Sequence, residues 1–382
     1  MGKQIKIAVF TSIRSEYGLL TPLIEMIQKD DRFELQLLIA GAHLKEEYGM
    51  TVKQIEKDGF DTKFRFDFLV DDSIIALSKL QQQIGEHLSK HTPNLMVLMG
   101  DRFELMPVAT ACTVLNIPIA HISGGEITEG AQDNQIRHAL TKLSHLHYAA
   151  TNEYGENIES MGEETWRICV SGEPGLDLLK TMNFIPKKEL YQELDLDLNK
   201  ELIISTFHPE TITNSITPAF IYKTMERIVN ETNYQVLITA TNFDHGGKEI
   251  NEMLSADSSR LKSVKYVKSL GQIRYYSVLK CATLMLGNSS SGILEAQSFE
   301  LPAVNVGFRQ KGRTVNPNVI HTRIDVDDVM KGIQLAGQQD FRSSLKGKAN
   351  IFGDGNASQR ILDHIAAQRS EELLLKRTSF KK

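Results

Sequence analysis

Short apolar runs alternate with segments of helical period along the chain, and the whole pattern then starts again. A first strand is expected over 5–10 (Ile-Lys-Ile-Ala-Val-Phe), followed by helical spacing over 19–29 with Pro22 in its first turn. Further strands are expected over 33–40, 94–99, 117–122, 146–150 and 167–170, with helical stretches between them. After the polar, helical stretch 190–195 new strands follow over 202–207, 235–240, 282–286 and 303–306. Such alternation predicts a parallel sheet with helices on both faces. Two series in tandem predict an α/β chain of two Rossmann-like domains facing a cleft, and 382 residues are too many for one ordinary core. The boundary is placed between 185 and 186, giving domains 1–185 and 186–382. The last helical stretch, 357–375, is left open between the second domain and a return to the first.

Composition narrows the function classes. With 41% hydrophobic and 24% charged residues the chain reads as an ordinary soluble protein. Its formal net charge of −5 argues against a general nucleic-acid binder. The basic tail from Lys376 to Lys382 reads as a solvated end. Cys112, Cys169 and Cys281 each sit in an apolar stretch, which fits buried thiols in a reducing compartment. No apolar run reaches membrane-spanning length, and Lys3 and Lys6 interrupt any signal-peptide core, so a cytoplasmic location is expected.

In parallel α/β sheets ligands bind at the carboxyl ends of strands, and the chemistry-bearing residues of this chain fall there. Arg14 and Glu16 follow the first strand; Gly100-Asp101-Arg102-Phe103-Glu104 follows 95–99; Ser123-Gly124-Gly125-Glu126 and Asp133-Asn134-Gln135-Ile136-Arg137-His138 follow 117–122. In the second series His208-Pro209-Glu210 follows 202–207, and Gly287-Asn288-Ser289-Ser290-Ser291-Gly292 follows 282–286. The last loop, leading into a helix, is read as a phosphate cradle with its helix dipole attracting an anion. The competing reading is an ordinary serine-rich helix cap. Glu295 tips the balance, because a carboxylate just past the loop suits a diol such as ribose. Asp101, Glu126 and Asp133 can remove a proton from carbon and return it to the opposite face, whereas singly each would serve as an ion-pair partner or helix cap. His208 could donate to a leaving phosphate or an oxyanion, or be a structural histidine. No G-x-G-x-x-G follows the first strand and no Walker A motif occurs, which removes support for nicotinamide or P-loop chemistry.

These loops, together with Gly307-Phe308-Arg309-Gln310, come in an order that resembles the UDP-N-acetylglucosamine 2-epimerase family, and specifically its hydrolysing branch in sialic and legionaminic acid biosynthesis. The match runs over nearly the whole chain. The resemblance implies a GT-B fold, no metal or redox cofactor, a UDP-sugar substrate and a homo-oligomer, a dimer or tetramer. It implies a catalytic set of Asp101, Glu126, Asp133 and His208. It places Arg14, Arg102, Asn242, Ser289, Ser290, Glu295, Arg309 and Arg313 around the nucleotide and sugar. The implied reaction removes the C2 proton as UDP departs, then hydrates the 2-acetamidoglucal with inversion at C2, releasing N-acetylmannosamine from UDP-N-acetylglucosamine. The same reaction on a UDP-2,4-diacetamido-2,4,6-trideoxyhexose is the nearest rival. Non-hydrolysing epimerisation, a retaining glycosyltransferase and a nucleotide-sugar binding protein are the others. Two departures from the pattern mark the sugar as the open question: Ser123 stands where relatives often carry glutamate, and Asp133-Asn134 where many carry paired aspartates. Position 123 is expected to open toward the sugar.

Overall fold

The structure, a computed structural model, describes residues 4–128, 132–209, 216–241, 247–257, 260–368 and 370–378. It divides into two compact units, Met1–Lys180 with Phe352–Lys382, and Thr181–Ile351. The first unit is built on seven strands: β1 (Ile5–Thr11), β2 (Phe33–Ala40), β3 (Phe64–Phe66), β4 (Leu95–Met99), β5 (Ile119–Ile122), β6 (Leu146–Ala149) and β7 (Ile168–Val170). Their order is β3-β2-β1-β4-β5-β6-β7, with every pairing parallel. The second unit has β8 (Glu201–Thr206), β9 (Tyr234–Thr239), β10 (Val264–Val267), β11 (Leu284–Gly287), β12 (Ala303–Val306) and β13 (Val319–Thr322). Their order is β10-β9-β8-β11-β12-β13, again all parallel. Each unit is therefore a doubly wound Rossmann-like sheet.

Burial explains the sequence pattern. The central strand β1 is closed to solvent on both faces, with Ile7, Ala8, Val9 and Phe10 all fully buried, and so it reads as a continuous apolar run. Its helix, Arg14–Lys29, turns Tyr17, Leu20, Leu23, Ile24 and Ile27 inward at helical spacing. That helix starts earlier than expected, so Pro22 lies in its interior and supplies no N–H to the carbonyl of Gly18. β3, β10 and β13 escape the sequence pattern. Each is an edge strand. An edge strand is paired on one side only, and Arg65, Lys265 and His321 interrupt their apolar character.

The end of the chain belongs to the first unit, so the second unit closes at Ile351 and the stretch left open above takes the return to the first. The helix Ala357–Ala367 buries Ile361, Leu362 and Ile365 in the same cluster as Leu20 and Ile24. Asp177 caps it from outside, its two carboxylate oxygens accepting the N–H groups of Ala357 at 2.8 Å and Ser358 at 2.7 Å. Among the described residues no helix is long and apolar enough to cross a membrane.

The end of β11 allows no side chain. Gly287 adopts φ +135°, and a Cβ there would collide with the carbonyl of Thr206 on the neighbouring β8. Gly287→Ala is expected to destabilise the protein by about 3 kcal/mol. Urea denaturation checks this; a loss below roughly 1 kcal/mol would mean the strands part without cost.

Candidate active site

In both sheets the winding reverses beside the first strand, between β1 and β4 in one and between β8 and β11 in the other. The loops leaving such a pair diverge and uncover the strand ends. At the first reversal, Ser12 after β1 donates its hydroxyl to Glu104 Oε1 at 2.8 Å. Arg102 Nε donates to the same oxygen at 2.6 Å. Burial works against the Arg102 charge, but Glu104, then Glu16 and Asp133, outweigh it and hold its pKa above the ordinary value. Arg14, the first residue of its helix, is exposed.

Arg137, missing from the expected site, organises the rest of this unit. It lies in the helix Gln132–Leu143, one turn after Asp133, and is 2% exposed. Its Nη1 donates to the Glu126 carbonyl at 3.0 Å and the Thr128 hydroxyl at 2.9 Å. Its Nη2 pairs with the Asp101 carboxylate. One guanidinium thus ties together the loop after β4, the loop after β5 and the helix carrying Asp133. The sequence signal was present: an arginine four residues after a candidate acid shares its helix face. Asn134 closes the start of that helix, its Oδ1 accepting the Thr128 N–H at 3.0 Å. Glu126 is buried, and Asp133 is exposed in the first helical turn.

Ser123 does not open outward as expected. It is 8% exposed, adopts φ +62°, and donates its hydroxyl to Glu173 at 3.0 and 3.3 Å from the two carboxylate oxygens. Glu173, in the loop after β7, is a buried acid that the sequence reading missed. His43, in the turn after β2, is fully buried between the hydroxyls of Thr11 at 3.1 Å and Thr51 at 2.7 Å. Burial pushes its pKa down to about 4, which makes it a neutral structural group.

At the second reversal His208 follows β8 and Asn288 follows β11. Asn288 Oδ1 accepts the His208 N–H at 2.6 Å, and its Nδ2 donates to the His208 carbonyl at 2.8 Å. The His208 ring is oriented by a 2.9 Å contact between Nδ1 and the Thr241 hydroxyl. The Asn288 carbonyl accepts from Arg309 Nη1 at 3.2 Å and Gln310 Nε2 at 2.9 Å. Asn288 therefore gathers His208, the serine loop and Arg309. It is another residue that the sequence reading passed over as part of a motif. Ser289 and Ser290 are half-buried, and the Arg313 N–H donates to the Gln310 carbonyl at 3.3 Å. The helix after this loop, Ser291–Leu294, is only one turn, so its dipole is a smaller source of anion attraction than expected. Glu295 closes the loop; burial pushes its carboxyl pKa up, and Tyr276 donates to it at 3.5 Å. Asn242 and Glu210, like Glu129 and Gly130, lie outside the described residues.

The model of the family described as UDP-N-acetylglucosamine 2-epimerase matches residues 25–366. The chain belongs to this family. It is 36% identical to a GDP/UDP-N,N'-diacetylbacillosamine 2-epimerase (hydrolyzing) of Campylobacter jejuni, over 86% of this chain and 87% of that one. It is 32% identical to a UDP-N,N'-diacetylbacillosamine 2-epimerase (hydrolyzing) of Legionella pneumophila, over 93% and 94%. Among solved structures, the UDP-GlcNAc 2-epimerase of Neisseria meningitidis bound to UDP-GlcNAc superposes with a TM-score of 0.83 at 16% identity, covering 95% of this chain and 100% of that one. The fold is thus the GT-B-like pair of Rossmann units of the family, and the chain is a UDP-sugar 2-epimerase. Among the described residues no group of His, Cys, Asp and Glu is arranged to hold a metal.

Two outcomes follow from the geometry. Asn288→Asp keeps the acceptor for the His208 N–H but sets a charged oxygen against the His208 carbonyl and beside the serine loop, so it is expected to lower kcat about tenfold and to weaken UDP binding as well. Steady-state kinetics with UDP calorimetry decide it, and an unchanged kcat would show that the clamp is dispensable. Glu16, 6% exposed, supplies the other. Burial pushes its carboxyl up to about 8, Glu104 adding to the rise while Thr11 and Arg102 oppose it. Because the folded value lies above the unfolded one, the stability it confers is complete below about pH 4.5 and is lost as pH rises toward about 8. Wild type should therefore lose on the order of 1 kcal/mol per pH unit relative to Glu16→Gln across that window. Denaturation of both proteins at several pH values would show parallel curves if Glu16 ionises normally.

Proposed function

We propose that the chain hydrolyses a UDP-2,4-diacetamido-2,4,6-trideoxyhexose, releasing UDP and the free sugar with inverted C2. The reading rests on the acids gathered at the strand ends of the first unit, Asp101, Glu126 and Asp133, with Arg137 fixing the loops that carry them. A carboxylate takes the C2 proton; the C1–O bond breaks and its electron pair leaves with the β-phosphate oxygen of UDP. Water then adds across the resulting glycal, oxygen to C1 and hydrogen to the opposite face of C2. Arg14 and Arg102 in the first unit, and Ser289, Ser290, Arg309 and Arg313 in the second, serve the diphosphate; Glu295 serves the ribose, and His208 the departing oxygen. The sugar is chosen on the relatives from Campylobacter and Legionella, whose names carry the diacetylated trideoxy sugar. UDP-N-acetylglucosamine is the second reading, favoured by the family description and by the ligand of the Neisseria structure.

Proton NMR in heavy water, with both UDP-sugars and the GDP counterpart of the first, tests substrate and chemistry together. The expected product is the free 2-epimer carrying deuterium at C2, formed fastest from the UDP-diacetamido sugar. Protium at C2 would indicate glycosidase chemistry, and an epimerised UDP-sugar would indicate the non-hydrolysing reaction. Asp101→Asn and Glu126→Gln are expected to fold and bind UDP but to lose at least about 100-fold in kcat, the usual size of a lost acid or base. The asparagine still accepts from Arg137, so a variant of normal rate would assign that position to structure alone.

A further inference from the structure

Lys376, the first residue of the basic tail, is not solvated. The Lys376 side chain is 15% exposed and sits at the carbonyl end of the helix Gln132–Leu143. Its Nζ donates to the carbonyls of Ser144 at 2.6 Å and Lys142 at 2.7 Å, and Thr141 O lies at 3.4 Å. A fourth oxygen, Glu163 Oε2, pairs with it at 2.8 Å, and the Glu163 side chain is fully buried. The last carbonyls of a helix have no partner within it and carry partial negative charge, so an ammonium there meets both needs. The segment leading to Lys376 is itself held. Arg167, fully buried, donates to the carbonyls of Leu373 at 3.0 Å and Leu375 at 3.1 Å. All these groups belong to the first unit, although more than a domain of sequence separates them. The family match ends at residue 366, before the tail.

The helix that Lys376 closes carries Asp133 in its first turn and Arg137 one turn further on. We propose that Lys376 is a positioning residue for the reaction: by closing this helix and anchoring it to Glu163, the tail fixes where Asp133 and Arg137 stand. The proposal rests on the assignment of those two residues to the first-unit site. Lys142 provides the internal comparison. It also pairs with Glu163, through Oε1, but its other contact is the Met161 carbonyl, so its removal leaves the helix end closed.

The test compares kcat, KM, UDP affinity and Tm for Lys376→Met, Lys376→Gln, Lys142→Met and Asp133→Asn in the full-length protein. Lys376→Met is expected to lower kcat about tenfold, as small misplacements of catalytic groups do, with UDP affinity unchanged. Lys376→Gln, which keeps two donors, should fall between it and wild type. Lys142→Met should lower Tm with kcat within about twofold of wild type. Hydrogen exchange at the amides of 132–143 should quicken in Lys376→Met only. The proposal is overturned if Lys376→Met, or Lys376→Gln where the methionine variant does not fold, keeps the wild-type kcat, or if the two lysine positions lose kcat alike. A fully active Asp133→Asn would instead overturn the assignment of Asp133, which is a separate failure.

Discussion

Each sheet is wound outward in both directions from a central pair of strands, and that reversal dictates where polar chemistry can be placed. Between β1 and β4, and between β8 and β11, neither departing loop covers the strand ends. Backbone groups there have no ladder partner and must find one among side chains. In the second unit Asn288 meets both the N–H and the carbonyl of His208, while in the first the side chains of Ser12 and Glu104 bond to each other. Each links a residue after one strand of the pair to a residue after the other. The same constraint allows only glycine at the end of β11, where the chain passes against the Thr206 carbonyl.

The two units meet that demand with different chemistry. In the first, a permanently charged side chain, Arg137, is buried among one carboxylate, one carbonyl and one hydroxyl. A buried guanidinium is costly unless its donors are paired, so the surrounding loops are held to one geometry by what they would leave unmatched if they moved. In the second, Asn288 is neutral and satisfies the backbone of His208 at both its N–H and its carbonyl. A neutral clamp adds no charge beside a loop proposed to receive a diphosphate, while a charged one in the first unit balances the acid Asp101. The form of each anchor follows the charge of what it must organise.

Central strands were legible in the sequence because burial on both faces leaves an unbroken apolar run, as in β1 and β8. The edge strands β3, β10 and β13 were not, because one free side lets Arg65, Lys265 or His321 stand among apolar neighbours. Candidate acids were legible for a related reason: the ends of recognisable strands mark where to look. Glu173 was missed although it too follows an expected strand, because its role depends on Ser123, brought beside it from the end of β5. Arg137 and Asn288 sat inside quoted motifs, but their role depends on loops brought together across the sheet, which spacing along the chain does not encode. The clasp by Lys376 was least legible of all. Its partners lie more than two hundred residues earlier, and a run of lysine and arginine at a chain end looks the same whether solvated or enclosed.

Ser123 shows how far a single substitution can mislead when read alone. A serine in place of glutamate suggests a lost charge and a roomier pocket. Here the hydroxyl is committed to Glu173, so a carboxylate still lies within 3.0 Å of the position, brought from the end of β7 instead of β5. A glutamate at 123 would set two carboxylates against each other in an enclosed place, where each disfavours the charge of the other. The backbone adds its own demand. Ser123 is left-handed at φ +62°, Gly125 at φ +79° lies where a Cβ would meet the Tyr154 carbonyl, and Glu126 follows at once. The bond from Ser123 to Glu173 thus holds the first of two unusual backbone turns that deliver Glu126 to the strand ends. Positions 123 and 173 therefore form one unit of structure, and a change in sugar preference traced to either must be judged with the other in place.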